Sequence, residues 1–142
     1  IESNSLNHLC VKTKENNVQY NSACEYGLNA TFHFPQDRLN NRFFIEATFK
    51  KRIKKGDDWR DIIFVTDSHS RIDSSRYYFT QAIYNYYQEG NGEWVETSCQ
   101  EEIRLAYGQK DSVNIYIWNK ALKHFEIKDY QLKVYEYSSG QK

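Results

Sequence analysis

An all-β sandwich of about eight antiparallel strands is the fold this sequence predicts, on three observations. Apolar and polar residues alternate with a period of two through long stretches, most clearly from Ser112 to Tyr137. Turn signals separate those stretches at roughly regular spacing, with Glu89-Gly90-Asn91-Gly92 and Gly108-Gln109-Lys110-Asp111 the strongest. Strand-favouring residues abound: 12 Tyr, 8 Phe and 3 Trp make aromatics 16% of the chain, and there is one Pro and no long helical pattern. Such a layout favours a sandwich of the jelly-roll kind.

The elements follow in order. Leu9 to Thr13 reads as a short first strand, and Val18 to Ala23 as extended. Tyr26 to Phe34 is a strand that Pro35 stops, since proline cannot donate to a ladder. In the next, Phe43, Ile45, Ala47 and Phe49 alternate with Phe44, Glu46, Thr48 and Lys50. The basic run Lys50-Lys51-Arg52-Ile53-Lys54-Lys55 then reads as a solvated loop at a strand end. Ile62 to Val65 is a continuous apolar run, as in a strand covered on both sides, and Asp67 to Ser75 reads as loop. Tyr77 to Gln88 is a long aromatic segment with one row for the core and one for an outer face. Trp94 to Cys99 continues as strand, and Glu101 to Tyr107 fits a strand or a short helix. Ser112 to Asn119 and Phe125 to Tyr137 then read as a closing antiparallel hairpin. In its second half the apolar parity switches near Lys128 and Asp129, which predicts a bulge or kink.

Composition sets bounds on function. The 142 residues suffice for one domain with a real core, and no break in composition divides residues 1–142. The chain begins with Ile and contains no Met, so it reads as processed or as part of a longer chain. Nineteen basic residues balance 19 acidic ones, which argues against nucleic acid as a partner. No run of about 18 apolar residues exists to insert this chain into a membrane. Of Cys10, Cys24 and Cys99, an odd one is left over; Cys10–Cys24 and Cys24–Cys99 are the bridges weighed, and no pair has zinc-site spacing. His8, His33, His69 and His124 are scattered. Asp67-Ser68-His69-Ser70 holds the ingredients of a nucleophilic triad within one hydrophilic stretch, whereas triads are assembled across a fold. No acid pair stands out for glycoside hydrolysis, which needs two carboxyl groups about 5 Å or about 6.5–9.5 Å apart. No enzyme activity is expected. Asn29-Ala30-Thr31 fits a glycosylation triplet but is read as accidental.

The last half carries a resemblance. Trp94-Val95, Tyr116-Ile117-Trp118-Asn119 and Phe125-Glu126-Ile127-Lys128-Asp129 resemble the strand motifs of jelly-roll domains similar to carbohydrate-binding modules and galactose-binding-like domains. Those domains end many secreted or surface-anchored bacterial proteins, and the resemblance covers residues 43 to 137. It implies a β-sandwich in an extracellular, cell-surface or periplasmic setting, with no cofactor. It also implies a structural calcium near the sandwich rim; Asp129 is the ligand that carries over, because Lys128 stands where the motif has an acid.

A sugar platform needs two or three exposed rings with amides and acids beside them for the hydroxyls. Trp59, in a polar loop beside Asp57, Asp58 and Asp61, is a loop candidate. Tyr84, Tyr86 and Trp118 are sheet-face candidates, Tyr78 and Tyr116 are further rings by parity, and Asn85, Asn114, Asn119 and Gln81 supply polar contacts. Against this stands the plainer reading that these rings fill the core or cover a sheet, which fits Trp118 best. The expected function is a non-catalytic accessory module binding carbohydrate. The alternative is a structural or protein-interaction domain packing against the rest of a parent surface protein.

Overall fold

The computed structural model describes residues 6–7, 11–12, 17–38, 42–70, 76–83, 90–103 and 111–137. Among these, the strands are β1 (Leu6–Asn7), β2 (Val11–Lys12), β3 (Asn17–Tyr20), β4 (Tyr26–His33), β5 (Arg42–Ile53), β6 (Ile62–His69), β7 (Arg76–Ala82), β8 (Val95–Ile103), β9 (Ser112–Asn119) and β10 (Phe125–Tyr137). A 3-10 turn at Gln36–Arg38 follows β4. Two five-stranded sheets result, in the orders β1-β4-β9-β6-β7 and β2-β3-β10-β5-β8, and all their pairings are antiparallel. Successive strands fall in opposite sheets except β2–β3 and β6–β7.

The alternation predicted from the sequence builds the core. Val113, Ile115 and Ile117 of β9 have no exposure, and neither do Phe43, Ile45 and Ala47 of β5. Ile127 and Val134 of β10 close the same cluster. Each Val, Ile or Phe side chain so withdrawn from water contributes about 1.5–3 kcal/mol. The parity switch in β10 is a bulge: its register with β5 shifts between Lys128 and Gln131, and Asp129 sits in the left-handed region at φ 54°. Phe125 and Ile127 face the core before it, Leu132 and Val134 after it.

Three expectations are overturned. Ser112 to Tyr137 is not a hairpin. β9 lies between β4 and β6, β10 lies between β3 and β5 in the other sheet, and the 120–124 segment crosses the sandwich. Alternation sets which face a strand buries, not which strand it pairs with. Asn119 organises that crossing. Its buried Nδ2 donates to the carbonyls of Cys24 (3.1 Å) and Lys123 (2.8 Å), and its Oδ1 accepts from Lys123 N at 2.9 Å. Nor is the basic run a loop throughout: β5 continues through Ile53, and only Lys54 and Lys55 lie in the exposed turn at its end. Lys51 keeps the core parity of Phe49 and Ile53 and is buried, its ammonium bonded to the Ile83 carbonyl and lying 5.0 Å from the Trp59 ring. Finally, Asp67, Ser68 and His69 are strand and not loop, because β6 runs on between β9 and β7.

Cys24 is disulfide-bonded, whereas Cys99 is a free, buried thiol, so the Cys24–Cys99 bridge is excluded; Cys10 lies outside the described residues. Among the described residues no helix is long and apolar enough to cross a membrane.

Candidate functional site

The outward faces of the two sheets differ in chemistry. On the β5 sheet, outward positions carry charge pairs across strands, Arg42 with Glu102 at 2.9 Å, Arg52 with Glu126 at 3.0 Å and Lys50 with Asp129 at 3.8 Å, beside the rings of Phe44 and the exposed Tyr135. Trp94 lies there between two cations, 4.4 Å from the Arg52 guanidinium and 4.2 Å from the Lys128 ammonium.

The outward face of the β9 sheet is aromatic. With Ile115, Ile117 and Phe64 turned inward, the register sends Trp118, Tyr116 and Asn114 of β9 to the other side. Tyr26 of β4 is the cross-strand partner of Trp118, and their rings are near-parallel, 16° apart with centroids at 5.9 Å. Tyr116 meets Tyr26 edge-on at 5.6 Å. Tyr78 of β7 completes the group and is hydrogen-bonded to Tyr116. Tyr26 and Tyr78 are two of the four large hydrophobic residues exposed among the described residues, at 38% and 44%.

A polar row crosses the same face. Thr31, Asn114, Asp67 and Tyr78 are aligned across β4, β9, β6 and β7, and the Thr31 hydroxyl donates to Asn114 Oδ1 at 2.6 Å. Asp67 is 5% exposed although it points away from the core, and its charge is felt by the Tyr116 hydroxyl. Its Oδ1 lies 3.3 Å from His69 Nε2. Burial, the Tyr78 hydrogen bond and then the Asp67 charge hold the Tyr116 hydroxyl well above its ordinary range. Tyr26 is raised as well, by desolvation and then by the Glu25 carboxylate. That carboxylate also accepts from Trp118 Nε1 at 3.1 Å, and Lys120 lies 5.5 Å from the Trp118 ring. The face thus offers flat apolar rings beside hydroxyls, an amide and two carboxylates, Asp67 beside His69 and Glu25 bonded to Trp118, a mixture suited to hydroxyl-bearing ligands.

The sequence candidates distribute as follows. Trp118, Tyr116, Tyr78 and Asn114 come together on this face. Tyr84, Asn85 and Tyr86 lie outside the described residues. Trp59 is not an exposed loop ring: it is 2% exposed, edge-on to Phe125 at 5.6 Å and capped by Lys51. The acids beside it serve structure. Asp58 accepts from Lys123 and Arg60, which hold its carboxyl below the usual range, Arg60 foremost. Asn119 is buried and Gln81 falls in an inward row opposite Phe64. Asp129 is exposed at its bulge with Lys50 as its charged neighbour. No group of three His, Cys, Asp or Glu side chains gathers to hold a metal among the described residues. Ser68 turns to the core, away from Asp67 and His69. Sequence reasoning missed Tyr26, Thr31, Asp67 and His69. Tyr26 opens its strand, so one residue of alternation gave it no face, and the other two acidic and basic positions were masked by the polarity of their stretch.

Protein-family models and curated proteins give no match to this sequence. Solved structures do. The chain is similar to the CBM22-1 xylan-binding domain of Xyn10C from Paenibacillus barcinonensis, with a TM-score of 0.51 over 92% of this chain and 79% of that one, at 12% identity. The fold is therefore that of a carbohydrate-binding-module jelly roll, as the strand motifs implied.

Proposed function

We propose that the aromatic face of the β9 sheet binds carbohydrate, and that the chain is a non-catalytic accessory module of an extracellular or cell-surface protein. The observation that carries this reading is the exposed Tyr26 ring, near-parallel to the half-buried Trp118 ring, beside a polar row on one sheet face. Tyr26 and Trp118 offer surfaces for sugar rings; Thr31, Asn114 and Asp67 lie within one or two strands for the hydroxyls. The shared fold with a xylan-binding domain supports it, and xylan is the first probe. The Cys24 disulfide fits an oxidising, exported setting. An open platform buries little of its ligand, so single-site affinity is weak. The structural-domain alternative calls for a broad apolar patch, and the buried Asp67 in the middle of this face speaks against it.

Affinity electrophoresis against xylan and a panel of neutral polysaccharides tests the reading. The intact chain should be retarded by at least one of them. Tyr78→Ala and Trp118→Ala should each weaken retardation about tenfold, as loss of an aromatic anchor does. Trp94→Ala, on the opposite sheet, should leave it unchanged. No retardation in any gel, or equal retardation in the Tyr78→Ala/Trp118→Ala double variant, would overturn it.

A further inference from the structure

A second cleft, of about 540 Å³, opens away from the aromatic face, where the ends of β3 and β5 meet the start of β10. Gln19, Asn21, Arg52, Lys54, His124 and Glu126 provide its polar wall. The loop above it is held close. Gly90 N donates to the Asp57 carbonyl at 2.8 Å and Gly56 N to the Gly90 carbonyl at 3.0 Å. A Cβ at Gly90 would meet Ile53 Cγ2 at 2.2 Å, so the 90–92 segment lies against the 54–57 turn by virtue of that glycine. Lys54 opens the turn, with Gly56 at φ 89° in its third position, and the turn holds the lysine at the mouth of the cleft.

The charges in this wall do not cancel. Glu126 is occupied: Arg52 Nη2 donates to its two oxygens at 3.0 and 3.2 Å, and the guanidinium is backed by Trp94. Lys54 and His124 are exposed, and their side chains make no ion pair or hydrogen bond among the described residues. The cleft therefore presents one uncompensated ammonium, an imidazole and two amides, in a volume that exceeds a lone inorganic anion and suits a sugar of one or two rings.

We infer that this rim cleft is a second binding site, selective for an acidic saccharide whose carboxylate is received by Lys54 and His124 while Gln19 and Asn21 meet its hydroxyls. It stands apart from the aromatic face and does not depend on ligand binding there.

The test is an NMR titration of the whole chain with glucuronate, glucose and inorganic sulfate in parallel, at low and at physiological salt. Glucuronate should shift the signals of residues 19–21, 52–54 and 124–126, more weakly at high salt. Glucose should shift them at least about fivefold less at equal concentration, and so should sulfate. Lys54→Gln and His124→Gln, both at exposed positions, should each weaken glucuronate binding about fivefold or more, the loss of one charge-assisted contact. Equal responses to glucose and glucuronate would overturn the claim of charge recognition, equal responses to sulfate would reduce the site to an inorganic-anion contact, and silence at these residues would remove the site.

Discussion

Asn119 shows how one side chain can organise a connection. It has no exposure, and both ends of its amide are used: Nδ2 donates to the carbonyls of Cys24 and Lys123, and Oδ1 accepts from Lys123 N. Its backbone N–H donates to the Glu25 carbonyl at 2.6 Å, which ties the 21–25 loop to the crossing between β9 and β10. Asn119→Ala removes the amide's hydrogen bonds to the 21–25 loop and to Lys123 and should cost about 2–4 kcal/mol, read as a lower urea midpoint. A cost under about 0.5 kcal/mol would mean the crossing is held by its packing alone. The sequence pointed to Asn119 only as a sugar-facing amide. Its parity with Val113, Ile115 and Ile117 already marked it as inward, and polarity concealed that. Trp59 was misplaced for the mirror reason, since its acidic neighbours are exposed or half-buried while its ring goes under Lys51.

At the scale of elements, alternation was the legible signal and charge the misleading one. β5 holds Phe43, Ile45, Ala47, Phe49, Lys51 and Ile53 in one inward row, and the sequence reading stopped at Phe49 because a lysine followed. A lysine in that row has consequences for pH. Burial lowers the Lys51 ammonium from 10.5 to about 8, the Cys99 sulfur opposing. An unfolding chain therefore takes up a proton at Lys51 between pH 8 and 10.5, and stability rises with pH by at most about 1.4 kcal/mol per unit. Burial raises Cys99 from 9.0 to about 11, so above pH 9 the unfolded thiol loses its proton first and stability falls. The Lys51 rise thus stands clear of Cys99 between pH 8 and 9. Urea unfolding across that interval should show it in the native chain and not in Lys51→Met; an undiminished rise in the variant would assign it to another group.

The bulge in β10 is the element read most directly, since a switch of apolar parity inside one strand admits few other geometries. Asp129 holds it at φ 54°, where a Cβ is strained. Asp129→Gly should be neutral or stabilising by up to about 1 kcal/mol, given that the exposed Lys50 pair contributes little, while Asp129→Val should destabilise. A clear loss of thermal stability in Asp129→Gly would show that the side chain, and not the backbone, sustains the bulge. Strand partners were the part that alternation could not reveal. β9 and β10 are adjacent in sequence, yet each pairs with strands distant in the chain, as Phe125 does with Tyr20.

Over the whole molecule, β9 and β10 are the middle strands of their respective sheets, and the two outer faces they carry have diverged. One carries charge pairs with single rings set among them, the other a contiguous group of rings beside a buried carboxylate. The three tryptophans sample the distinct environments: Trp59 the core, Trp94 the charged face, Trp118 the aromatic face. Each indole N–H gives its own signal, so titrating the chain with neutral oligosaccharides and following these three signals tests the central claim most directly. A saturable shift of the Trp118 signal, with those of Trp59 and Trp94 unmoved, is the predicted result. A shift confined to Trp94, or no shift at Trp118 with an oligosaccharide that the chain demonstrably retains, would contradict it.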